Sequence, residues 1–133
     1  MISDTLRRQY DSLKSGTALV ELPARTLIRF TGADNRRFLH SFCTADVKPS
    51  GEGSVKEAFI LDTRGKTLAF GHLILVEETI LLSVAAAGIA ARLIEHLDRY
   101  VIRDDVQIED LSDSCRSLLI TAPGSKPLDI QGL

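Results

Sequence analysis

"SVKEAFILDTRGKTLAFGHLILVEETILLSV", residues 54–84, decides the fold. Two long apolar runs, SVKEAFIL (54–61) and KTLAFGHLILVEE (66–78), flank the polar turn DTRG, and ETILLSV (78–84) follows directly. Strands this close in sequence reverse on each other, because a parallel neighbour needs a crossover of about a dozen residues or more. The spacing therefore predicts a three-stranded antiparallel meander. Residues 59–75 carry one carboxylate, Asp62, and it stands at the turn rather than on the strand that follows. Chemistry that needs an acid on that strand has no candidate there.

Downstream, AAAGIAARLIEHLDRYVI (85–102) reads as a helix. Ile89, Leu93, Leu97 and Tyr100 recur at spacings of four, four and three, with Ile94 beside them, which predicts an apolar stripe over 87–100 packed on the meander. Strands are expected at VQIEDL (106–111) and RSLLITA (116–122). Upstream, Leu6, Tyr10 and Leu13 keep helical spacing behind the N-cap candidates Ser3 and Asp4, and Gly16 stops that helix. ALVEL (18–22) and RTLIRFTG (25–32) read as strands split by Pro23, with Leu22, Leu27, Ile28 and Phe30 as core candidates. Asp34 is placed to cap a helix carrying Phe38, Leu39 and Phe42, and Pro49, Gly51 and Gly53 mark the loop after it. The element order indicates an α+β fold with a mostly antiparallel sheet and helices packed on one face.

Composition bounds the function. A chain of 133 residues with 44% hydrophobic content suits one core, hence one domain spanning 1–133. Net charge of -2 gives no basic excess for a phosphate backbone, which argues against a nucleic-acid binder. No run of 18 apolar residues occurs, and the charged start MISDTLRRQYDSLKSG lacks the apolar stretch of a signal peptide. No membrane partner and a cytoplasmic location are the expectations. Cys43 and Cys115 form no CxxC motif and are expected to be unpaired, small packed residues, while His40, His72 and His96 lack neighbours at metal-ligand spacing. Glu95 and Arg99 are spaced for an exposed ion pair on the long helix.

FTGADNRRFLHSFCTADV (30–47) resembles a signature of the glycine-cleavage T-protein and YgfZ folate-binding family: a Gly-x-Asp turn opens a helix, Phe-Leu packs it, and Thr-x-Asp-Val closes it. The resemblance continues in order through LDTRGK (61–66), HLDRYVI (96–102) and VQIEDLS (106–112), and covers the chain from about Leu19 onward. It implies a tetrahydrofolate-binding fold, used for aminomethyl transfer in glycine cleavage or for iron-sulfur protein maturation in the YgfZ branch. Members of both kinds are longer, and the Lys-Gly-Cys-x-x-Gly-Gln-Glu motif of the YgfZ branch does not occur here. The chain therefore resembles the first part of a family member, or a short relative.

In the transferases the pattern after the turn is similar to Leu-Asn-x-x-Gly-Gly-Ile-x-Asp-Asp-Leu, and the matching acid positions here are Ala69 and Phe70. Neither side chain can accept a proton or stabilise a developing cation, so the resemblance implies no catalytic residue. An aromatic that the transferases carry upstream aligns near Glu57, a second departure, and Leu-Asp-x-Arg-Gly-Lys is closer to the YgfZ branch. The ligand edge implied by the resemblance is formed by Thr44, Asp46, Asp62 and the strand end near Ser83. Arg36 and Arg37, in the first turn of a helix where cations are disfavoured, suggest either an anionic neighbour such as a folate glutamate tail or solvated side chains beside Asp34. A partial domain leaves apolar surface uncovered, so self-association is expected.

Overall fold

Burial alternates along three consecutive strands, and that alternation sets the architecture. The computed structural model describes residues 1–48, 51 and 53–122; Pro49 and the segment from 123 onward, including the LDIQGL end, lie outside the described residues. The described residues form two compact units, Met1–Pro23 with the chain from Ser117, and Ala24–Arg116.

The larger unit holds a five-stranded sheet: β2 (Thr26–Thr31), β3 (Val55–Leu61), β4 (Thr67–Val76), β5 (Thr79–Val84) and β6 (Gln107–Asp110), here numbered after β1 (Ala18–Glu21) of the smaller unit. Its order is β3-β4-β5-β2-β6 and every pairing is antiparallel. The meander predicted from 54–84 is present, and β2 closes its far side by pairing Ile28 with Leu82. At the β3–β4 reversal the register slips between Ile60 and Leu61, so the hairpin carries a bulge beside its turn.

One face of this sheet carries the core. Ile28, Phe30, Ala58, Ile60, Leu73, Leu75, Ile80, Leu82 and Val84 alternate inward and meet Phe38 and Leu39 of α2 (Asn35–His40) and Leu93 and Leu97 of α3 (Ala90–Asp98). Each fully buried Leu or Ile contributes roughly 1.5–3 kcal/mol relative to exposure. Leu93 and Leu97 are buried as their spacing requires, but α3 is shorter than the predicted 87–100. Gly88 sits at φ +76 and ends the preceding turn, and Thr26 Oγ1, on a neighbouring strand, accepts the Ile89 N–H at 3.3 Å. Tyr100 lies beyond the helix, half-buried against Phe42 at a ring distance of 5.1 Å.

Some sequence-derived core assignments need correction. Leu22 and Leu27 are only half-buried: Leu22 lies outside both β1 and β2, and Leu27 stands at an outward position of β2, whose inward side chains are Thr26, Ile28 and Phe30. Phe42 is half-buried, and Cys115 is exposed rather than packed, whereas Cys43 is half-buried; both thiols are free. Asp34 occupies the N-cap position of α2, but its side chain accepts no capping hydrogen bond from the helix.

The smaller unit contains α1 (Asp4–Ser15), capped by Ser3 Oγ accepting the Leu6 N–H at 3.2 Å, and the pair β1 and β7 (Leu118–Thr121), antiparallel with Ala18 opposite Thr121. Its helix buries no residue.

Candidate functional site

Strands that turn alternate residues into the core turn the others to the opposite face of the five-stranded sheet. Val55, Glu57 and Phe59 of β3, Phe70, His72 and Ile74 of β4, and Leu81 and Ser83 of β5 stand there at exposed or half-buried positions. Phe59 and Phe70 are direct cross-strand partners with ring centroids 4.9 Å apart, and the Phe70 ring lies 6.3 Å from that of His72. Glu57 faces His72 across the same ladder, with its carboxylate oxygen 3.7 Å from His72 Nε2. The row continues in register from His72 to Ser83 and on to Leu27. At the far side of the face Arg29 pairs with Glu109 of β6.

This geometry separates the two positions where the transferase pattern has acids. Ala69 is 7% exposed and belongs to the core, whereas Phe70 is 46% exposed on the open face. A carboxylate at 69 would stand among core side chains. Position 70 alone could present one to a ligand, and there the side chain is a phenyl ring tilted at 47° against that of Phe59. The carboxylate beside Phe59, Phe70 and His72 on this face is Glu57, the position taken from the sequence only as a departure from the aromatic pattern.

The four residues expected to form the ligand edge are placed differently from one another. Thr44 Oγ1 accepts the Phe59 N–H at 3.0 Å and the Thr44 N–H donates to Phe59 O at 3.1 Å, so Thr44 fastens the segment after α2 to β3. Asp46 Oδ1 lies 3.4 Å from His40 Nδ1 and accepts the Lys48 N–H at 3.3 Å, while its carbonyl accepts from Lys56 Nζ at 2.6 Å. Asp62 Oδ1 accepts the N–H groups of Arg64 at 2.8 Å and Lys66 at 2.9 Å. The Lys66 N–H, followed by that of Arg64, holds the Asp62 carboxyl below the usual carboxylate range. Its role is to bind the turn in which Gly65 adopts φ +79. Ser83 lies two strands from β3, roughly 10 Å across at ordinary strand spacing, in the row of His72 and Glu57. Asp62 is five residues along β3 from that row, roughly 16 Å at the rise of a strand. Ser83 therefore belongs with the open face, and Asp62 with the hairpin tip.

The Gly-x-Asp turn has a structural explanation. Asp34 Oδ2 accepts the Asp105 N–H at 2.9 Å, Asp105 Oδ2 accepts the Ala33 N–H at 3.0 Å, and the Asp34 N–H donates to Asp105 O at 3.1 Å. Gly32, at φ +100, lets the two segments meet: a Cβ there would stand 2.1 Å from Asp105 O. Arg37 is held by Asp104 at 2.7 Å and Asp34 at 3.3 Å, an ion-pair role rather than a free cation awaiting an anion. Asn35, 4% exposed, donates to Glu78 O at 2.6 Å and Phe30 O at 3.3 Å, fixing the β4–β5 turn against α2. Glu95 and Arg99 form the expected exposed pair at 2.5 Å. Burial pushes the Cys43 thiol up, against the lowering effect of a hydrogen bond with Ala45. Among the described residues no group of three or more His, Cys, Asp or Glu could hold a metal ion, and no helix is long and apolar enough to cross a membrane.

What could act as a site was thus partly missed by residue type alone. Phe59, Phe70, His72 and Glu57 converge only through the β3–β4 register; the available signal was the period-two alternation, which puts 57 and 59 on one face and 70 and 72 on one face.

Three comparisons bear on this geometry. The family model of the GCVT N-terminal domain matches residues 2–128. A chloroplastic protein of Arabidopsis thaliana, provisionally named a transferase, is 26% identical over 119 residues, covering 89% of this chain and 27% of its own. The crystal structure of the glycine cleavage system aminomethyltransferase T from Bartonella henselae superposes with a TM-score of 0.73 at 19% identity, covering 87% of this chain and 32% of that one. The chain thus spans about a third or less of the length of these relatives.

Proposed function

We propose, for a chain that belongs to the GCVT N-terminal domain family, that its open sheet face is one wall of a tetrahydrofolate site and that it serves binding rather than aminomethyl transfer. The observation that carries this is the tilted Phe59–Phe70 ring pair beside Glu57 and His72 on an exposed face. A flat heteroaromatic ring fits such a platform, since stacked aromatics favour offset or tilted partners at 4.5–7 Å. Phe59 and Phe70 would hold the ring by stacking, while Glu57, His72 and Ser83 supply polar groups for its edge. Tetrahydrofolate, when bound, supplies the nitrogen pair that carries a one-carbon unit. This chain's own residues orient it and offer no acid at position 70 to assist a transfer. Thr44, Asp46 and Asp62 act behind that wall by fixing the segments that flank it.

Within the family, the combination of Asp62-Thr-Arg-Gly-Lys66 with a phenyl ring at 70 supports a YgfZ-type accessory role in iron-sulfur protein assembly or repair, exercised by a longer protein of which this chain forms the N-terminal part. The two free cysteines support a reducing compartment, and we propose the cytoplasm. The second reading is an aminomethyltransferase domain; the transferase relatives favour it and the absence of an acid at 70 opposes it. A methylene-transfer assay to tetrahydrofolate decides between them. Turnover no greater than a heat-inactivated control, together with retention of tetrahydrofolate in equilibrium dialysis that falls in Phe70→Ala, is the result expected. Turnover above the control would establish the transferase reading, and equal retention by Phe70→Ala would remove the open face as the site.

A further inference from the structure

The bulge at the β3–β4 reversal takes one side chain out of its alternation. Ile60 pairs with Ala69 and Leu61 with Thr67, so Leu68 is the extra residue. Leu68 and Ala69 therefore both turn to the core side, where Leu68 is half-buried against the core. There it lines a cavity of about 200 Å³ whose other walls come from α3 and its C-cap: Arg92, Leu93, Glu95, His96 and Arg99. The cavity is on the opposite side of the sheet from Phe59 and Phe70 and takes no part in the proposed folate wall. It is smaller than the roughly 300–1,000 Å³ of a drug-sized site, so it suits one polar group rather than a whole ligand.

The lining is rich in donors and poor in acceptors. Arg92 and Arg99 stand one turn before and one turn after His96, at spacings of four and three, so all three can converge on one group held over His96. Arg92 has no hydrogen-bond or ion-pair partner among the described residues, and His96 Nε2 is buried without one. A buried ring nitrogen with no partner is a group that a ligand can satisfy. Glu95 is the single carboxylate of the lining, and Arg99 already engages it. Two arginines against one glutamate leave a positive excess before His96 is counted. Asp62 lies within electrostatic reach of His96, but its carboxylate is taken up by the N–H groups of Arg64 and Lys66.

We propose that this cavity binds the phosphate group of a soluble phosphate monoester. A tetrahedral oxyanion offers acceptors in several directions at once, which suits two guanidinium forks and a ring nitrogen arriving from different levels of a helix; a planar carboxylate is used up by one fork. The bound group gives Arg92 and His96 Nε2 the acceptor they lack and shares Arg99 with Glu95. Arg92 and Arg99 are exposed at the rim, so they can part to admit an oxygen to His96, and solvent screening keeps the affinity modest.

An NMR titration of the full chain with inorganic phosphate, at ionic strength held constant with sodium chloride, tests this. Saturable shifts are expected at Leu68, Arg92, His96 and Arg99, with a dissociation constant on the order of 1 mM. Arg92→Gln should weaken binding about tenfold by removing a charge-assisted partner. Arg7→Gln removes the same charge from α1 and should leave binding unchanged. Glu95→Gln frees Arg99 and removes the opposing charge, so it should tighten binding about threefold, a gain that a purely structural role for the Glu95–Arg99 pair does not predict. Methyl phosphate should bind as inorganic phosphate does, whereas vesicles of phosphatidylcholine with phosphatidic acid should shift none of the four residues. Shifts that never saturate or that spread over arginines elsewhere on the surface, equal losses in Arg92→Gln and Arg7→Gln, a Glu95→Gln chain that binds no tighter, or a response to the vesicles alone would each overturn the proposal.

Discussion

Replacing Asn35 by aspartate changes one amide to a carboxylate of the same shape at a site that is 4% exposed. The native amide gives both hydrogens of Nδ2 to Glu78 O and Phe30 O, so an ionised carboxylate in its place would aim one charged oxygen at two carbonyls. Folding then favours the protonated acid, and its folded-state pKa rises above the unfolded value of about 3.9. Holding that group neutral at pH 7 costs up to about 4 kcal/mol, at 1.36 kcal/mol per pKa unit. The sign follows: for an acid raised on folding, stability is retained below the unfolded pKa and lost as pH rises through it toward the folded pKa. At pH 4 a protonated side chain still donates one hydrogen bond, leaving a deficit of about 1 kcal/mol. Urea titrations of Asn35→Asp against the parent should therefore give a difference of about 1 kcal/mol at pH 4 that grows to about 4–5 kcal/mol at pH 7. Asn35→Ala, which leaves the two carbonyls unsatisfied without adding charge, should cost about 2–3 kcal/mol at both. A deficit for Asn35→Asp that is independent of pH, or below about 1 kcal/mol at pH 7, would refute the role assigned to this amide.

Gly32→Ala combines a positive φ with a Cβ 2.1 Å from Asp105 O, and should lower stability by about 3 kcal/mol or more in the same titrations, whereas Gly53→Ala, with open space around it, should cost about 1 kcal/mol. Asp62 has a lowered pKa in the folded chain, so its contribution is present above the unfolded pKa and lost as pH falls through the folded value; the stability gap between parent and Asp62→Asn should close on acidification below about pH 4. With a disulfide-exchange reagent, exposed Cys115 should react first, and half-buried Cys43, its thiol pushed up by burial, should lag at neutral pH and gain as pH rises; equal rates would contradict the packing given to Cys43.

The parts of the fold that were legible in the sequence are those set by local rules. The meander followed from apolar runs joined by short polar turns, α1 from Ser3 and the Leu6, Tyr10, Leu13 spacing, and the buried stripe of α3 from Leu93 and Leu97. Long-range effects were not legible. The start of α3 is set by Gly88 and by Thr26 on another strand, and Asp34 was read as a cap because nothing nearby announces Asp105 as its partner. For the candidate site, residue type and motif position selected Thr44, Asp46, Asp62 and Ser83, three of which are engaged with neighbouring backbone. The aromatic platform needed the β3–β4 register to bring Phe59 to Phe70, and the choice between Ala69 and Phe70 needed the direction of one strand's pleat.

The central claim, that this chain supplies one wall of a folate site at its open sheet face, is tested most directly by an NMR titration of residues 1–133 with tetrahydrofolate. A single wall leaves the ligand half solvated while it still loses rotational freedom, so affinity should be no better than about millimolar, near 4 kcal/mol of binding free energy. The account predicts a dissociation constant in that range, with shift changes concentrated at Phe59, Phe70, His72 and Ser83 and reduced in Phe70→Ala. Micromolar binding abolished by Asp46→Ala, or shift changes that leave those four residues unmoved, would contradict it.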